Sequence, residues 1–444
     1  MKKKSLFLLA ALLFLIAGCN NSVEPEQEHK NNSNPVETPV DFTDYNNYGK
    51  DITDVEIVKE FYADGFRKIV FDYPSVDFTG KKVRLSGIIC IKTDFYKAGN
   101  KKADYTILVN HGATTKWDDC PSRNGGSELC SFLSEITEGG AKVIGIAADY
   151  IGLGSSKNEL QAFVFGELNA KASLDALIWG RKLLAAKGFS WEDKLANIGF
   201  SQGGQTAICV QKLADTDPDY SEITISKTFA GDGVYDIQTM IEESLNYSEP
   251  VLPSVVCLGI ASYNRVLKLG LNEADIFVYP DLIEEYVLSK KYGLVQSLLG
   301  LIEALSEKTN GAVNLANYYY WSHYLKADML NKNSDLYKSV IEAVKDYNNF
   351  WTPKDTTKIV LFAAENDDVV PCANSDKLFE HLKSVASSEW NDTKKTTEAG
   401  TAFSGDNIYI RYKEEDKSSM MDIIHAKASN TFKSKVNEEL LANW

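Results

Sequence analysis

Positive charge is scarce in this sequence. The chain has 47 lysines and arginines against 62 aspartates and glutamates, which gives a formal net charge of -15 at pH 7. Because such a surface repels polyanions, we expect no nucleic acid partner. Histidine is also rare, with five residues in the whole chain, so few imidazoles are available for proton transfer near neutral pH. The sequence shows no internal repeat of fixed period.

The first eighteen residues have the layout of an export signal. Three lysines at positions 2–4 precede an apolar run, 6–17, which is too short to span a bilayer. The tetrapeptide IAGC, ending at Cys19, resembles a bacterial lipobox, which implies cleavage before Cys19 and its acylation. Since two or more acyl chains anchor a protein stably, we expect 1–18 to be a signal peptide and the exported chain to be anchored in the cell envelope, at the outer membrane. An ordinary secretory signal with a chance cysteine is the alternative.

The segment 19–41 is rich in Asn, Glu and Pro and has no apolar periodicity, which is typical of a flexible tether. Beyond it remain about 400 residues, enough for one large domain with an insertion, or for two domains. With 44% hydrophobic residues in the chain, a large core is expected.

Six cysteines follow Cys19. Cys90, Cys209 and Cys257 lie in apolar runs and are predicted to be small buried side chains. Cys120 and Cys130 enclose a polar loop, and in an exported protein such a pair is a candidate for a disulfide.

Short apolar runs separated by helical segments make up most of the remaining chain. Segments 66–76 and 81–92 are typical of two strands joined by a turn, which suggests an antiparallel start to a sheet. Runs that are apolar on both faces, as buried parallel strands require, occur at 105–110, 141–148, 195–200, 225–231, 357–364 and 407–412. Helical apolar spacing is clearest at 167–187. This alternation predicts an α/β fold with a mostly parallel, doubly wound sheet.

The alternation is interrupted at 232–355, where amphipathic helical segments follow one another without a strand. We expect a helical cap here, inserted between a first core part, 42–231, and a second, 356–444. The cap contains a group of large aromatic side chains that either line a pocket or form the core of the cap itself: Tyr318, Tyr319, Tyr320, Trp321 and Tyr324.

Ser201 lies between Gly199 and Gly203 in the sequence NIGFSQGGQTAICV. The pattern G-x-S-x-G alone arises by chance in roughly one such chain in ten, given ordinary Gly and Ser usage. Its position between a predicted strand and a predicted helix is more specific, because a serine on that sharp turn projects its hydroxyl away from the backbone. Gly204 adds clearance for the turn.

A serine hydroxyl needs a base to become a nucleophile at neutral pH. His425 follows the last predicted strand and precedes a final helix, which places it in a loop able to reach the strand edge. We therefore predict that His425 is the base. The other histidines have less suitable positions in the tether, before Ser201, in the cap and on an amphipathic segment: His29, His111, His323 and His381.

An imidazole that acts as a base needs an acid to hold its tautomer. Asp367 follows the predicted strand 357–364 and is the predicted acid. Other carboxylates near strand ends are alternatives, or these residues form only a solvated turn: Glu365, Asp368, Asp232 and Asp236.

Attack on a carbonyl places negative charge on its oxygen, which two backbone N–H groups must stabilise. The N–H of Gln202, directly after the serine, is one expected donor. The loop that begins with HGATT after 105–110 supplies the second, from Ala113 or Thr114, with His111 as an organiser of the loop.

These motifs together resemble the secretory lipase and esterase branch of the α/β-hydrolase superfamily. The resemblance rests on NHGATT, AADYIGLGSS, GFSQGG, NDDVVP and the late His425, in the chain order serine, acid, histidine. It covers nearly all of the mature chain and implies an α/β-hydrolase fold with a helical lid after the sixth strand. It also implies hydrolysis of carboxylic esters through an acyl-enzyme, with no cofactor and no metal.

The ester itself is left open by the sequence: triacylglycerol, a short acyl ester, and acetyl or feruloyl groups on polysaccharide all fit. A serine peptidase of the same fold, such as a lidded aminopeptidase, is an alternative reading. A catalytically inactive hydrolase fold that serves as a surface-binding lipoprotein is another.

Overall fold

The structure is a computed structural model that describes residues 52–386, 389–393, 406–417 and 422–444. The predicted signal peptide, 1–18, the lipidation site Cys19 and the tether 19–41 lie outside the described residues.

A sheet of ten strands forms the centre of the described chain, in the order β1-β2-β3-β6-β5-β8-β9-β10-β12-β11. The strands are β1 (Glu56–Ala63), β2 (Phe66–Val76), β3 (Lys82–Lys92), β4 (Lys102–Ala103), β5 (Tyr105–Asn110), β6 (Val143–Ala148), β7 (Ser190–Trp191), β8 (Leu195–Phe200), β9 (Lys227–Gly231), β10 (Ile359–Ala364), β11 (Asn391–Thr393) and β12 (Ile408–Tyr412). β4 and β7 pair with each other in a separate two-stranded ladder.

The sheet begins antiparallel and continues parallel. β1, β2, β3 and β6 pair antiparallel, and the remaining neighbours from β6 to β11 pair parallel. Strands β5 and β8 match the predicted segments 105–110 and 195–200 at both ends. The predicted antiparallel start and the parallel continuation are both confirmed. β1 was missed, because its side chains are exposed or half-buried and form no continuous apolar run.

Helices cover both faces of the sheet. They are α1 (Thr93–Lys97), α2 (Ser127–Glu138), α3 (Gly166–Ala186), α4 (Gln202–Thr216), α5 (Ile237–Ser244), α6 (Pro253–Val266), α7 (Glu273–Ile276), α8 (Pro280–Ile283), α9 (Leu294–Lys308), α10 (Ala327–Leu330), α11 (Asp335–Val344), α12 (Ala373–Val385) and α13 (Ile424–Asn443). A π-helical turn, Glu284–Leu288, and three 3₁₀ turns, Gly154–Ser156, Pro218–Tyr220 and Trp321–His323, complete the helical elements of the described residues.

Alternating strand residues separate the two halves of the core. In β10, Val360 and Phe362 pack with α2 and α13 on one face, whereas Ile359 and Leu361 pack with α4 and α12 on the other. Strand residues buried on both faces are what a doubly wound sheet requires, and this fold prediction is confirmed.

Between β9 and β10 the described chain forms helices α5 to α11 and no strand of the sheet. Their apolar side chains join the core cluster that also contains α3, so this segment packs directly against the sheet domain. It corresponds to the segment 232–355 in which we expected a cap.

The candidate disulfide between Cys120 and Cys130, left open by the sequence, is not formed. Cys120 and Cys130 are both free and buried. The sulfur of Cys130 lies 3.6 Å from the sulfur of Cys90, on β3, because helix α2 turns this side chain toward the sheet. Cys120 packs instead with Tyr150 and Leu153. Cys90, Cys209 and Cys257 are buried as predicted.

Candidate active site

Ser201 occupies the turn between β8 and α4. Its backbone dihedrals are φ 59° and ψ −125°, a conformation that residues other than glycine rarely adopt. The N–H of Ser201 donates to the carbonyl oxygen of Gly231 at 2.9 Å, which holds the turn against the neighbouring strand β9. The hydroxyl is therefore presented at the carboxyl edge of the sheet, where the sequence motif predicted it.

The glycines around Ser201 are required by close backbone approaches. A Cβ at Gly199 would lie 2.0 Å from the carbonyl oxygen of Gly203, and one at Gly203 would lie 2.0 Å from the carbonyl oxygen of Asn110. At Gly204 the distance to the oxygen of Gly231 would be 2.4 Å. Since no side chain fits at these distances, the glycines allow α4 to start directly against β5 and β9.

His425 and Asp367 lie side by side across this edge. The Nδ1 atom of His425 is 2.5 Å from Oδ2 of Asp367. The other oxygen of Asp367 accepts from the N–H groups of Val369 and Val370, at 2.8 and 2.9 Å. Because the carboxylate of Asp367 can only accept a hydrogen bond, the imidazole hydrogen of His425 is assigned to Nδ1. Its Nε2 atom is then able to accept a proton.

Ser201 and His425 line the same cavity. The described residues include no hydrogen bond between the Ser201 hydroxyl and the imidazole, and contacts of this kind are often long before substrate binds. Phe200 packs beside the imidazole, with its ring centroid 4.9 Å from that of His425. The structure thus brings Ser201, His425 and Asp367 to one edge of the sheet.

Asp368 fixes the backbone of His425. Its two oxygens accept from the N–H groups of Ile424 and His425, at 3.2 and 3.1 Å, and it pairs with Lys417 at 2.6 Å. These N–H groups belong to the first turn of α13, where backbone donors have no partner within the helix. Sequence reasoning considered Asp368 only as a substitute for Asp367 and missed this role.

Two of the alternative acids face other partners. Glu365 pairs with Arg411 at 3.1 Å, and the carboxylate of Asp236 caps α5 by accepting from the N–H of Thr239 at 2.7 Å. Neither contacts the imidazole.

Asp232, the remaining alternative acid, is a close enough neighbour of Asp367 to feel its charge. It accepts from the N–H of Ala364 at 2.9 Å, and its second oxygen is buried without a partner among the described residues. Burial and the neighbouring charge of Asp367 raise the pKa of Asp232 well above its usual range. Asp367 contacts the imidazole at 2.5 Å, whereas Asp232 does not, so the geometry favours Asp367 over Asp232 as the acid.

The predicted oxyanion donors belong to residues that line the same cavity as Ser201. Ala113, Thr114 and Gln202 all line the cavity, and their backbone N–H groups have no acceptor among the described residues. The carbonyl oxygen of Thr114 accepts from Nε2 of Gln161 at 2.8 Å, which orients this part of the loop. Gln161 was missed because only the folded chain places it against HGATT.

Glu128 supports the same loop from α2. Its Oε2 atom accepts from the N–H of Gly112 at 3.3 Å. Burial raises the pKa of Glu128 to about 7, despite the Gly112 N–H and the charge of Lys433, which act in the opposite direction. Glu128 also lines the cavity.

His111 organises the loop, as predicted. Its ring stacks on Tyr150 at a centroid distance of 3.9 Å, and Nδ1 donates to the carbonyl oxygen of Gly112 at 2.8 Å. Burial lowers the pKa of His111 to about 4, so it is neutral at pH 7. His323 and His381 lie away from the cavity and contact the carbonyl oxygens of Asn317 and Trp351.

The cavity at Ser201 has a volume of about 530 Å³. Helices α5, α6 and α11 of the inserted segment contribute apolar side chains to its wall, including Ile237, Val256, Ile260 and Val340. The five aromatic residues at 318–321 and 324 are not among the described residues that line it, and Tyr318, Trp321 and Tyr324 are buried within the insertion. These three rings therefore belong to the core of the cap, one of the two roles considered from the sequence.

The inserted segment is tied to the core on two sides of the cavity. The hydroxyl of Tyr247 donates to the backbone carbonyl of Asp367 at 2.9 Å. The ammonium of Lys290 donates to the carbonyl oxygens of Gly152, at 3.1 Å, of Glu159, at 2.7 Å, and of Lys157. Burial lowers the pKa of Lys290 to about 8.

Within the described ranges, no group of three or more histidine, cysteine or acidic side chains is placed to hold a metal ion. Across the same part of the chain, no helix combines the length and apolar character needed to cross a bilayer.

Comparison with known proteins gives matches in structure alone. The sequence matches no protein-family model and no curated protein. The structure is similar to the rice cell wall degrading esterase LipA from Xanthomonas oryzae, with a TM-score of 0.64 and 15% identity over 87% of this chain and 96% of that one. A protein of Legionella pneumophila gives a TM-score of 0.64 and 16% identity over 88% of this chain and 98% of that chain.

A more distant similarity is to lipase A of Candida antarctica in its closed state, with a TM-score of 0.53 and 13% identity over 81% of this chain and 77% of that one. At such identities the likeness establishes the fold. The chain has the α/β-hydrolase fold, as the sequence motifs implied.

Proposed function

We propose that this chain is a serine carboxylic ester hydrolase, of the esterase or lipase type, that acts through Ser201, His425 and Asp367. The observation that carries the proposal is the 2.5 Å contact between His425 Nδ1 and Asp367, on the wall of the cavity that also contains Ser201. The chain order of these three residues, and the contact between His425 and Asp367, are those expected of the nucleophile, base and acid of a serine hydrolase.

The reaction divides into two steps. His425 Nε2 takes the proton of the Ser201 hydroxyl as its oxygen attacks the ester carbonyl carbon, and the imidazolium then gives that proton to the departing alcohol oxygen. This leaves an acyl-enzyme on Ser201. Water, deprotonated by the same imidazole, attacks the acyl carbon, and the acid is released as the serine regains its proton.

Backbone donors stabilise the charge on the carbonyl oxygen. We assign this role to the N–H of Gln202 and to that of Ala113 or Thr114, because all three lie on the cavity wall without another acceptor in the described chain. Each preorganised donor of this type is worth about 3 kcal/mol in the transition state.

An ester of an apolar acid fits this cavity better than a peptide. The wall supplied by the inserted helices is apolar, and Ile237, Val256 and Val340 offer no hydrogen bonds to a peptide backbone. The structural neighbours named as an esterase and a lipase agree with this choice. Peptide cleavage and a purely binding role are alternatives that the experiment below distinguishes.

The activity test combines labelling with turnover. The purified full-length chain, solubilised in detergent, is treated with a fluorophosphonate probe and assayed with p-nitrophenyl esters and amino-acid anilides. We expect stoichiometric labelling and ester turnover, and Ser201→Ala lowers turnover by about 10⁶-fold, as in other triads. Ser384→Ala, at an exposed serine of α12, is the matched control.

Preferential cleavage of the anilides would identify a peptidase. If Ser201 is neither labelled nor needed for turnover, the proposal is wrong and a binding role remains.

We also propose that the chain is exported and anchored by acyl chains on Cys19. The export layout of 1–18 and the lipobox-like IAGC support this placement. Metabolic labelling with a fatty acid tests it: wild-type chain takes up the label, and Cys19→Ser abolishes uptake. Equal labelling of both forms would contradict the anchor.

A further inference from the structure

The cavity at Ser201 has two chemically different walls. Helices α5, α6 and α11 of the inserted segment supply a largely apolar wall. Helices α2 and α13 of the sheet domain instead supply polar side chains. We call this set the polar wall: Ser127, Glu128, Ser131, Ser429, Asn430 and Lys433.

The polar wall continues from the imidazole. On α13, Ser429 and Lys433 follow His425 at intervals of four residues, which places the three on one face of the helix. All of them line the cavity. Since the imidazolium gives its proton to the departing alcohol oxygen, the alcohol part of the ester must lie on the imidazole side, along the polar wall.

Several groups of the polar wall have free hydrogen-bonding capacity. Among the described residues, the side chains of Ser429 and Asn430 have no hydrogen-bond partner, and Asn430 is exposed at the mouth of the cavity. Lys433 pairs with Glu135 at the long distance of 4.0 Å. Glu128 uses one oxygen for the Gly112 N–H. An apolar alcohol would displace water from these groups without replacing the hydrogen bonds that the water made.

From these contacts we propose that the polar wall binds the alcohol part of the substrate, and that this alcohol is a polyol of the sugar type. The proposal rests on the proposed ester hydrolysis and adds the substrate class: an apolar acyl group under the inserted helices, joined to a hydroxyl-rich alcohol. Hydroxyl groups both donate and accept, so one sugar ring can satisfy an amide, an ammonium, a hydroxyl and a carboxylate together.

The test keeps the acyl group constant and changes the alcohol. Octanoyl glucose and ethyl octanoate are compared by kcat/KM in the wild-type protein and in Asn430→Leu and Lys433→Met. We expect wild type to favour octanoyl glucose by tenfold or more, and each variant to lower that ratio by roughly tenfold, as expected when polar partners are lost. Lys435→Met is the matched control, because Lys435 lies on the same helix, pairs with Glu438 at 2.8 Å and does not line the cavity.

Two results would overturn the inference. If wild type turns over ethyl octanoate as well as octanoyl glucose, or if the two variants leave the ratio at the wild-type value, the polar wall does not select the alcohol. The fluorophosphonate probe separates this failure from failure of the proposed function: a labelled Ser201 with no sugar preference refutes only the polyol, whereas an unlabelled Ser201 refutes both.

Discussion

The carboxylate of Asp368 accepts a hydrogen bond from the backbone N–H of His425 at 3.1 Å. Its neighbour Asp367 holds the imidazole of the same residue at 2.5 Å. Two consecutive carboxylates thus fix both the backbone and the ring of one histidine. Because α13 begins here, the position of the imidazole depends on where this helix starts.

Asp368→Ala should therefore impair catalysis without removing a reacting group. The change deletes the acceptor for two N–H groups at the start of α13, a loss comparable to that of an N-cap, about 1 kcal/mol in unfolding free energy. Because a misplaced imidazole transfers protons poorly, we expect kcat to fall by about 10- to 100-fold, with KM nearly unchanged. Asp368→Asn keeps one acceptor oxygen and should lie between. A loss seen only in KM would contradict this positioning role.

Asp367→Asn and Asp232→Asn form a matched pair. At Asp367 the amide cannot stabilise the imidazolium and favours the wrong tautomer, so we expect kcat to fall by about 10⁴-fold. Asp232 makes no contact with the imidazole in the described chain, and burial and Asp367 raise its pKa. Its conversion to the amide should therefore change kcat little, within about threefold. Steady-state kinetics at neutral pH measure both.

Stability gives a second readout for Asp232. A carboxyl whose pKa is raised in the folded protein costs stability above its unfolded pKa, because the unfolded chain ionises more readily. Asp232→Asn should therefore not lower the thermal midpoint at pH 7. A large loss of activity in this variant would instead make Asp232 the working acid.

Glu128→Gln should change the pH dependence of stability. The pKa of Glu128 is about 7 in the folded protein, against an ordinary value of 4.5. Between these values the folded carboxyl keeps its proton and the unfolded one releases it, so stability falls as pH rises through this window. The amide cannot ionise, and its oxygen can still accept from Gly112.

Thermal unfolding at two pH values measures this effect. We expect equal midpoints for wild type and Glu128→Gln at pH 4, and a higher midpoint for the variant at pH 8, by about 3 °C or more. Glu138→Gln, exposed at the end of the same helix, is the control and should show the same difference from wild type at both values. A constant offset for Glu128→Gln would refute the assigned pKa.

Gly259→Leu should shorten the preferred acyl chain. Gly259 lies in α6 and lines the cavity, and a Cβ there would meet no atom within 4 Å. Leucine is also a better helix former than glycine, by up to about 1 kcal/mol, so the thermal midpoint should not fall. Assays with p-nitrophenyl butyrate and decanoate should show the decanoate preference reduced by roughly tenfold.

Gly259→Ala provides the control, since its single methyl group fills little of the cavity. Equal loss on both esters in Gly259→Leu would show that the acyl chain does not pass this helix.

Much of the fold was readable from the sequence, because buried parallel strands carry a local signal. The run 195–200 is apolar on both faces and matches β8, and the glycines flanking Ser201 mark the turn that follows. β1 gave no such signal, since its side chains are exposed or half-buried and form no continuous apolar run.

Contacts between distant segments were harder to predict. That Asp367, and not Asp232, faces His425 depends on how two loops at one sheet edge are folded, and both residues follow strands. For the same reason the sequence left the pairing of Cys120 with Cys130 open, because cysteine spacing does not show that Cys130 turns toward Cys90.

The half-buried ammonium of Lys290 has a consequence for how substrate reaches Ser201. It donates hydrogen bonds to the carbonyl oxygens of Gly152, Lys157 and Glu159. Lys290 lies three residues before Gly293, where the chain begins to line the cavity. Moving this edge outward would break the hydrogen bonds from the ammonium to all three carbonyl oxygens. We therefore expect the cavity edge held by Lys290 to stay in place. Access to Ser201 then does not depend on binding to an oil–water interface, and turnover of dissolved monomeric esters should show no lag.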